Sequence, residues 1–183
     1  MSRILVLRLL LFVLMGMNAA AVYSQTSAAT AAREKTRERL NQLFQTIKPE
    51  TIKTTFRQSE KQPFVFVATL KEGLTNADSF EIVVSVTNDQ TIFFRVFPHY
   101  KSAYVNIDKV KNSAGLMRRM LQLNESAFLS WGADESGDIF FGYTFTLESG
   151  FPDEAIKIVL SSIKNSDKFI GDMRPDIDGS AGQ

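Results

Sequence analysis

VKNSAGLMRRMLQLN (residues 110–124), SAFLSWGADESGDIFFGYTFTL (126–147) and PDEAIKIVLSSIKNSDKFI (152–170) follow one another almost without spacers, and they decide how the chain folds. The first carries Val110, Ala114, Met117 and Leu121 on one stripe flanked by Leu116 and Met120, which is helical spacing. Asn106 or Asp108 stands where an N-terminal cap is needed, and Asn124 where the helix should stop. The second reads as a hairpin, with strands at 127–133 and 138–147 and turn chemistry at 134–137. The third opens at Pro152 with Asp153 and Glu154 in its first turn, where the helix dipole favours acids. Its core stripe is Ala155, Ile156, Val159, Leu160 and Ile163.

Upstream, residues 33–48 predict another helix, because Leu40, Leu43, Phe44 and Ile47 recur at i, i+3, i+4, i+7 before Pro49. Its other face (Arg33, Glu34, Lys35, Arg37, Glu38, Arg39) mixes charges and reads as solvated. Three strands follow at 63–70, 80–87 and 91–97, the last ending at Pro98, with a weaker extended stretch at 51–57. In the middle strand Phe80, Ile82, Val84 and Val86 alternate with Glu81, Ser85 and Thr87, and Asn88-Asp89 fits a two-residue turn. The order is α-β-β-β-α-β-β-α, an α+β domain with a five-stranded antiparallel sheet and helices packed against it.

The ends read differently. Arg3 precedes an apolar run, 4–17, that is interrupted by Arg8 and Gly16 and too short to span a bilayer. Small residues follow, so residues 1–24 are expected to be a signal peptide cleaved near Ser24-Gln25, placing the protein in the periplasm or outside the cell. Residues 25–32 are expected to be a flexible lead, 33–171 one domain, and 172–183 (DMRPDIDGSAGQ) a disordered tail. Without Arg3 and Arg8 the 21 Lys and Arg fall to 19 against 20 Asp and Glu. That balance argues against a general nucleic-acid binder. The chain has no Cys, so packing alone must hold it, and its 15 Phe supply a large aromatic area.

The element order resembles the YbjN family, whose members share the fold of the type III secretion chaperones. The likeness rests on the second-half helix with Leu121-x-Leu123-Asn124, the strand with Phe128, Asp134 to Asp138 around Gly137, Ile139 in the return strand, and a last helix with Asp167 near its end. The resemblance implies a sensory-transduction-regulator type of protein without established catalysis. It also implies relatives that form homodimers and hold partly unfolded clients. An export signal departs from those cytosolic chaperones.

Candidate chemistry is sparse. Cysteine nucleophiles are impossible, and His99, the single His, needs a nucleophile and an orienting carboxylate to act as a base. Asp134, Glu135 and Asp138 lack calcium-loop spacing and read as turn residues. Gly132, Gly137 and Gly142 lie in a hairpin, not in a phosphate loop. Met117 and Met120 read as core filling and Arg118-Arg119 as solvated surface. No cofactor or metal is expected. What stands out is that several strands are apolar on both faces, so one face of the sheet needs cover from the third helix, a second subunit or a bound client, and part of that cover is expected to be intermolecular, a homodimer or a protein partner. The expected function is an exported, non-catalytic, chaperone-like protein-binding module that meets its partner through Phe93, Phe97, Trp131 and Phe140. The alternative is a carrier holding a small apolar ligand in the sheet's concavity.

Overall fold

The computed structural model describes residues 29–89 and 91–181, so the expected signal peptide and the first residues of the lead lie outside the described residues. Residues 29–46 form helix α1, which therefore takes in the end of the expected flexible lead. There follow β1 (Arg57–Gln58), β2 (Val65–Leu70), β3 (Ser79–Val86), β4 (Thr91–Tyr100), β5 (Ala103–Tyr104), helix α2 (Ser113–Ser126), β6 (Ser130–Ala133), β7 (Ile139–Thr146), α3 (Asp153–Ile163) and α4 (Asp167–Ile177). A single 3-10 turn, Lys164–Ser166, joins the last two. None of the described helices is long and apolar enough to cross a membrane.

The strands make one antiparallel sheet in the order β1-β2-β3-β4-β7-β6, with β5 paired to the end of β4. It has seven strands where five were expected; the additions are the two-residue strands β1 and β5. Alternation fixes which way each strand faces. Phe66, Phe80, Ile82, Val84, Ile92, Phe94, Val96, Ile139 and Phe141 are buried on one face. They share a single core with Leu40 and Leu43 of α1, Leu116 of α2, Ile156 and Leu160 of α3, and Ile170 and Met173 of α4. The molecule is thus two layers, with its helices on one side of the sheet.

Local departures from the sequence reading have identifiable causes. Strand β4 runs through Pro98 because its pairing with β7 has already stopped there: the last β4–β7 pair is Val96 with Phe141. Pro98 therefore owes no N–H to a neighbour on that side, and its carbonyl accepts from Val105. The β3–β4 turn is longer than two residues, since Val86 pairs with Ile92 and the Thr87 N–H reaches the Thr91 carbonyl. The tight turn comes one hairpin later, where Lys101 and Ser102 both adopt positive φ. Helix α2 is capped by Asn112, whose side chain accepts from Gly115 N at 3.0 Å, rather than by Asn106 or Asp108. Its core side is Leu116 and Met120; Met117 and Leu121, expected inside, are exposed.

Residues from Asp172 onward were expected to form a disordered tail, yet α4 continues to Ile177 with Met173 fully buried. Two backbone bonds fasten it, from Lys111 N to Ile177 O and from Asn112 N to Asp176 O. The Asp176 carboxylate adds bonds from Asn112 and Arg119. At the head of α4 the Asp167 carboxylate accepts the backbone N–H groups of Thr75, Asn76 and Ala77 and the Thr75 hydroxyl. The expected single closing helix thus runs as two, joined through the Lys164–Ser166 turn.

Candidate functional site

The face of the sheet turned away from the helices is lined by Val65 and Val67 of β2, Glu81 and Val83 of β3, Phe93, Arg95, Phe97 and His99 of β4, and Phe140 of β7. Phe93, Phe97, Phe140, Val65, Val67 and Val83 are half-buried and belong neither to the core nor to the partly buried residues packed on it. Phe97 and Phe140 touch, with ring centroids 5.8 Å apart, and Tyr104 of β5 adds an edge contact to Phe97 at 6.1 Å. Phe140 lies over Gly132 of β6, where a Cβ would come within 3.1 Å of the ring. The guanidinium carbon of Arg95 stands 5.1 Å from the Phe93 centroid and 4.7 Å from that of Phe140.

Three of the four aromatic residues expected to meet a partner are therefore on one outer face, and the fourth is not. Trp131 is buried on the helix side, paired with Phe141 across the β6–β7 ladder and packed on Phe141 and Phe169. The reason is phase: Ser130 and Gly132 take the outer positions, and the Asn124 side chain fixes this register by bonding both the N–H and the carbonyl of Trp131.

At one end of the outer face His99 sits with Nε2 3.8 Å from Glu81 Oε2 and its ring 4.2 Å from that of Tyr104. The Tyr104 hydroxyl donates to Glu81 at 2.7 Å. Burial, followed by that bond to a carboxylate, pushes the phenol up to about 12, so it stays protonated and keeps Glu81 engaged. His99 Nε2 has no hydrogen-bond partner among the described residues. Asp134, by contrast, has a full turn role: its Oδ1 accepts from Ser136 N and Asp138 N. Asn106 then links the Ser136 carbonyl to Asp138.

One open concavity of about 420 Å³ touches the outer face near β1, lined by Arg57, Val67, Thr69 and Glu81. A groove of about 640 Å³ runs between α1 and the approach to α3, lined by Lys35, Arg39, Leu147, Phe151 and Asp153. It is open and crossed by the Arg39–Asp153 ion pair at 2.8 Å. None of the outer-face phenylalanines lines it.

Fold and site together define a two-layer α+β domain with one sheet face packed under helices and the other bearing a cluster of aromatic side chains around an arginine. No family model matches the chain, and no curated protein matches it.

Proposed function

We propose that this chain is a non-catalytic, chaperone-like protein-binding module that holds another polypeptide on the outer face of its sheet. The observation that carries the reading is the outer cluster of Phe93, Phe97 and Phe140: central in the sheet, half-buried and not part of the core. Full burial of such a ring is worth about 1.5–3 kcal/mol from the exposed state, so each half-buried one still gains about half of that when a partner covers it. The residues proposed to meet the partner are these three, with Trp131 withdrawn. The element order supports placing the domain near the YbjN type, with the type III secretion chaperone-like fold as the finer form of the α+β assignment. Export to the periplasm or the cell exterior by cleavage near Ser24-Gln25 belongs to the same proposal, as does a homodimer.

The carrier alternative calls for an enclosed aromatic pocket, and the aromatic cluster lies on a sheet surface, so a polypeptide is the preferred occupant. The test is suppression of aggregation. A chemically denatured model client is diluted into buffer with the full chain or with its Phe93→Ser/Phe97→Ser variant, and light scattering is followed. Protection by the wild type, lost in a variant with an unchanged circular-dichroism spectrum and melting temperature, is the expected result. Equal protection by both would remove the outer face from the function.

A further inference from the structure

We infer that the segment held on the outer face carries a carboxylate between apolar side chains, in an apolar-x-acid-x-apolar pattern; this rests on the protein-binding reading above. The sheet register sets Arg57, Val67, Val83, Arg95 and Gly142 side by side in one row across the outer face. Both arginines are exposed, and among the described residues neither meets a carboxylate within ion-pair distance. Glu81, the acid nearest that row, is already taken by the Tyr104 hydroxyl and faces His99. The face therefore carries uncompensated positive charge at its centre, inside an aromatic frame.

Arg95 is built for one kind of ligand. Its guanidinium is flanked by the Phe93 and Phe140 rings, which restrict it without consuming its hydrogen-bond donors. A planar fork held this way suits a bidentate carboxylate. Phe93, Arg95 and Phe97 alternate along β4 with a same-face pitch of about 6.7 Å, the pitch of any extended peptide. A carboxylate over Arg95 accordingly sets the side chains two residues before and after it over Phe93 and Phe97. A second copy of the chain, packed face to face with the twofold axis on this row, would set one arginine row against another and bring it no free carboxylate, so the homodimer proposed above uses a different surface. A nucleic acid would find two free arginines, too few for a phosphate backbone, on a chain of formal net charge +1.

Fluorescence anisotropy with the full chain tests this, using fluorescein-labelled Ser-Val-Ser-Leu-Ser-Glu-Ser-Phe-Ser-Val-Ser and its counterpart with Gln in place of Glu. The Glu peptide is expected to bind about tenfold more tightly, a preference that shrinks with added salt. Arg95→Gln, checked for an unchanged melting temperature, should abolish the preference by weakening only the Glu peptide. Phe93→Ser/Phe97→Ser should weaken both. Equal affinity for the two peptides, with protection of the denatured client intact, would overturn the carboxylate inference and leave the binding reading standing. Loss of client protection together with failure of both peptides would overturn both. Displacement of the Glu peptide by a single-stranded oligonucleotide, or self-association abolished by Phe93→Ser, would assign the face to another occupant and refute the inference.

Discussion

Replacing Asp167 by Asn isolates the clasp that sets the last helix against the sheet. The carboxylate is 5 % exposed, with Oδ2 accepting from Thr75 N at 2.7 Å and Asn76 N at 3.0 Å and Oδ1 from Ala77 N at 2.8 Å. Asn keeps the shape but turns one oxygen into a donor, so either the Thr75 or the Ala77 N–H loses its acceptor and faces an NH₂ group. A buried unsatisfied donor costs about 1–3 kcal/mol, and the surviving bonds lose their charge assistance. The expected loss is about 2–3 kcal/mol at neutral pH, a drop of about 5–10 °C in melting temperature for a domain of this size. The acid side of the profile carries its own signature. Burial pushes the carboxyl up, but the N–H groups of Thr75, Ala77 and Asn76 and the Thr75 hydroxyl together pull it lower still, so its folded value lies below the ordinary one. A depressed folded value means the contribution is complete above the unfolded carboxylate's titration near pH 4 and is lost as pH falls through the folded value. Urea denaturation at pH 7 and at about pH 3 should therefore show a gap between wild type and variant that narrows in acid. A gap below about 0.5 kcal/mol at pH 7, or one that does not change with pH, would refute the clasp argument.

Three further outcomes are expected. Gly142→Ala, whose new Cβ would strike the Phe94 carbonyl oxygen across the β4–β7 ladder, should cost upwards of about 3 kcal/mol; a melting curve overlaying wild type would show that the two strands can part there. Deleting residues 172–183 removes Met173 from the core and the Asp176 bonds to Asn112 and Arg119, so calorimetry should find a strongly destabilised domain, whereas a dispensable tail would leave the transition in place. Ultraviolet titration should find one phenol ionising near pH 12 that disappears in Tyr104→Phe; because its folded value is raised, its contribution to stability is present below about pH 10 and lost between about 10 and 12.

What the sequence made legible was whatever periodicity alone controls. Phe80, Ile82, Val84 and Val86 announce β3 and its inner face, and Ile156, Val159, Leu160 and Ile163 announce α3. Phase was harder wherever apolar residues run on. In SAFLSWGA either Trp131 or its neighbours could face the helices, and the deciding contact, the Asn124 side chain on the Trp131 backbone, joins two elements. The same ambiguity misplaced Met117 and Leu121 on α2. The final helix was hidden by its composition: DMRPDID is polar, yet Asp176 has its partners on α2 and its approach, and Asp167, at the start of the same helix, has its own on the loop before β3. Of the outer face, Phe93, Phe97 and Phe140 were readable from alternation; the row linking Arg57 to Arg95 is a matter of cross-strand register, which no single stretch encodes.

The outer strands of the sheet are β1, with two residues, and β6, with four. Rims this brief give an incoming chain few main-chain groups to zip onto, which blocks strand-by-strand growth into fibrils. They also deny a partner the sequence-blind affinity that comes from adding itself as another strand. On the proposed reading, a partner is then held broadside through its side chains rather than by joining the sheet as another strand.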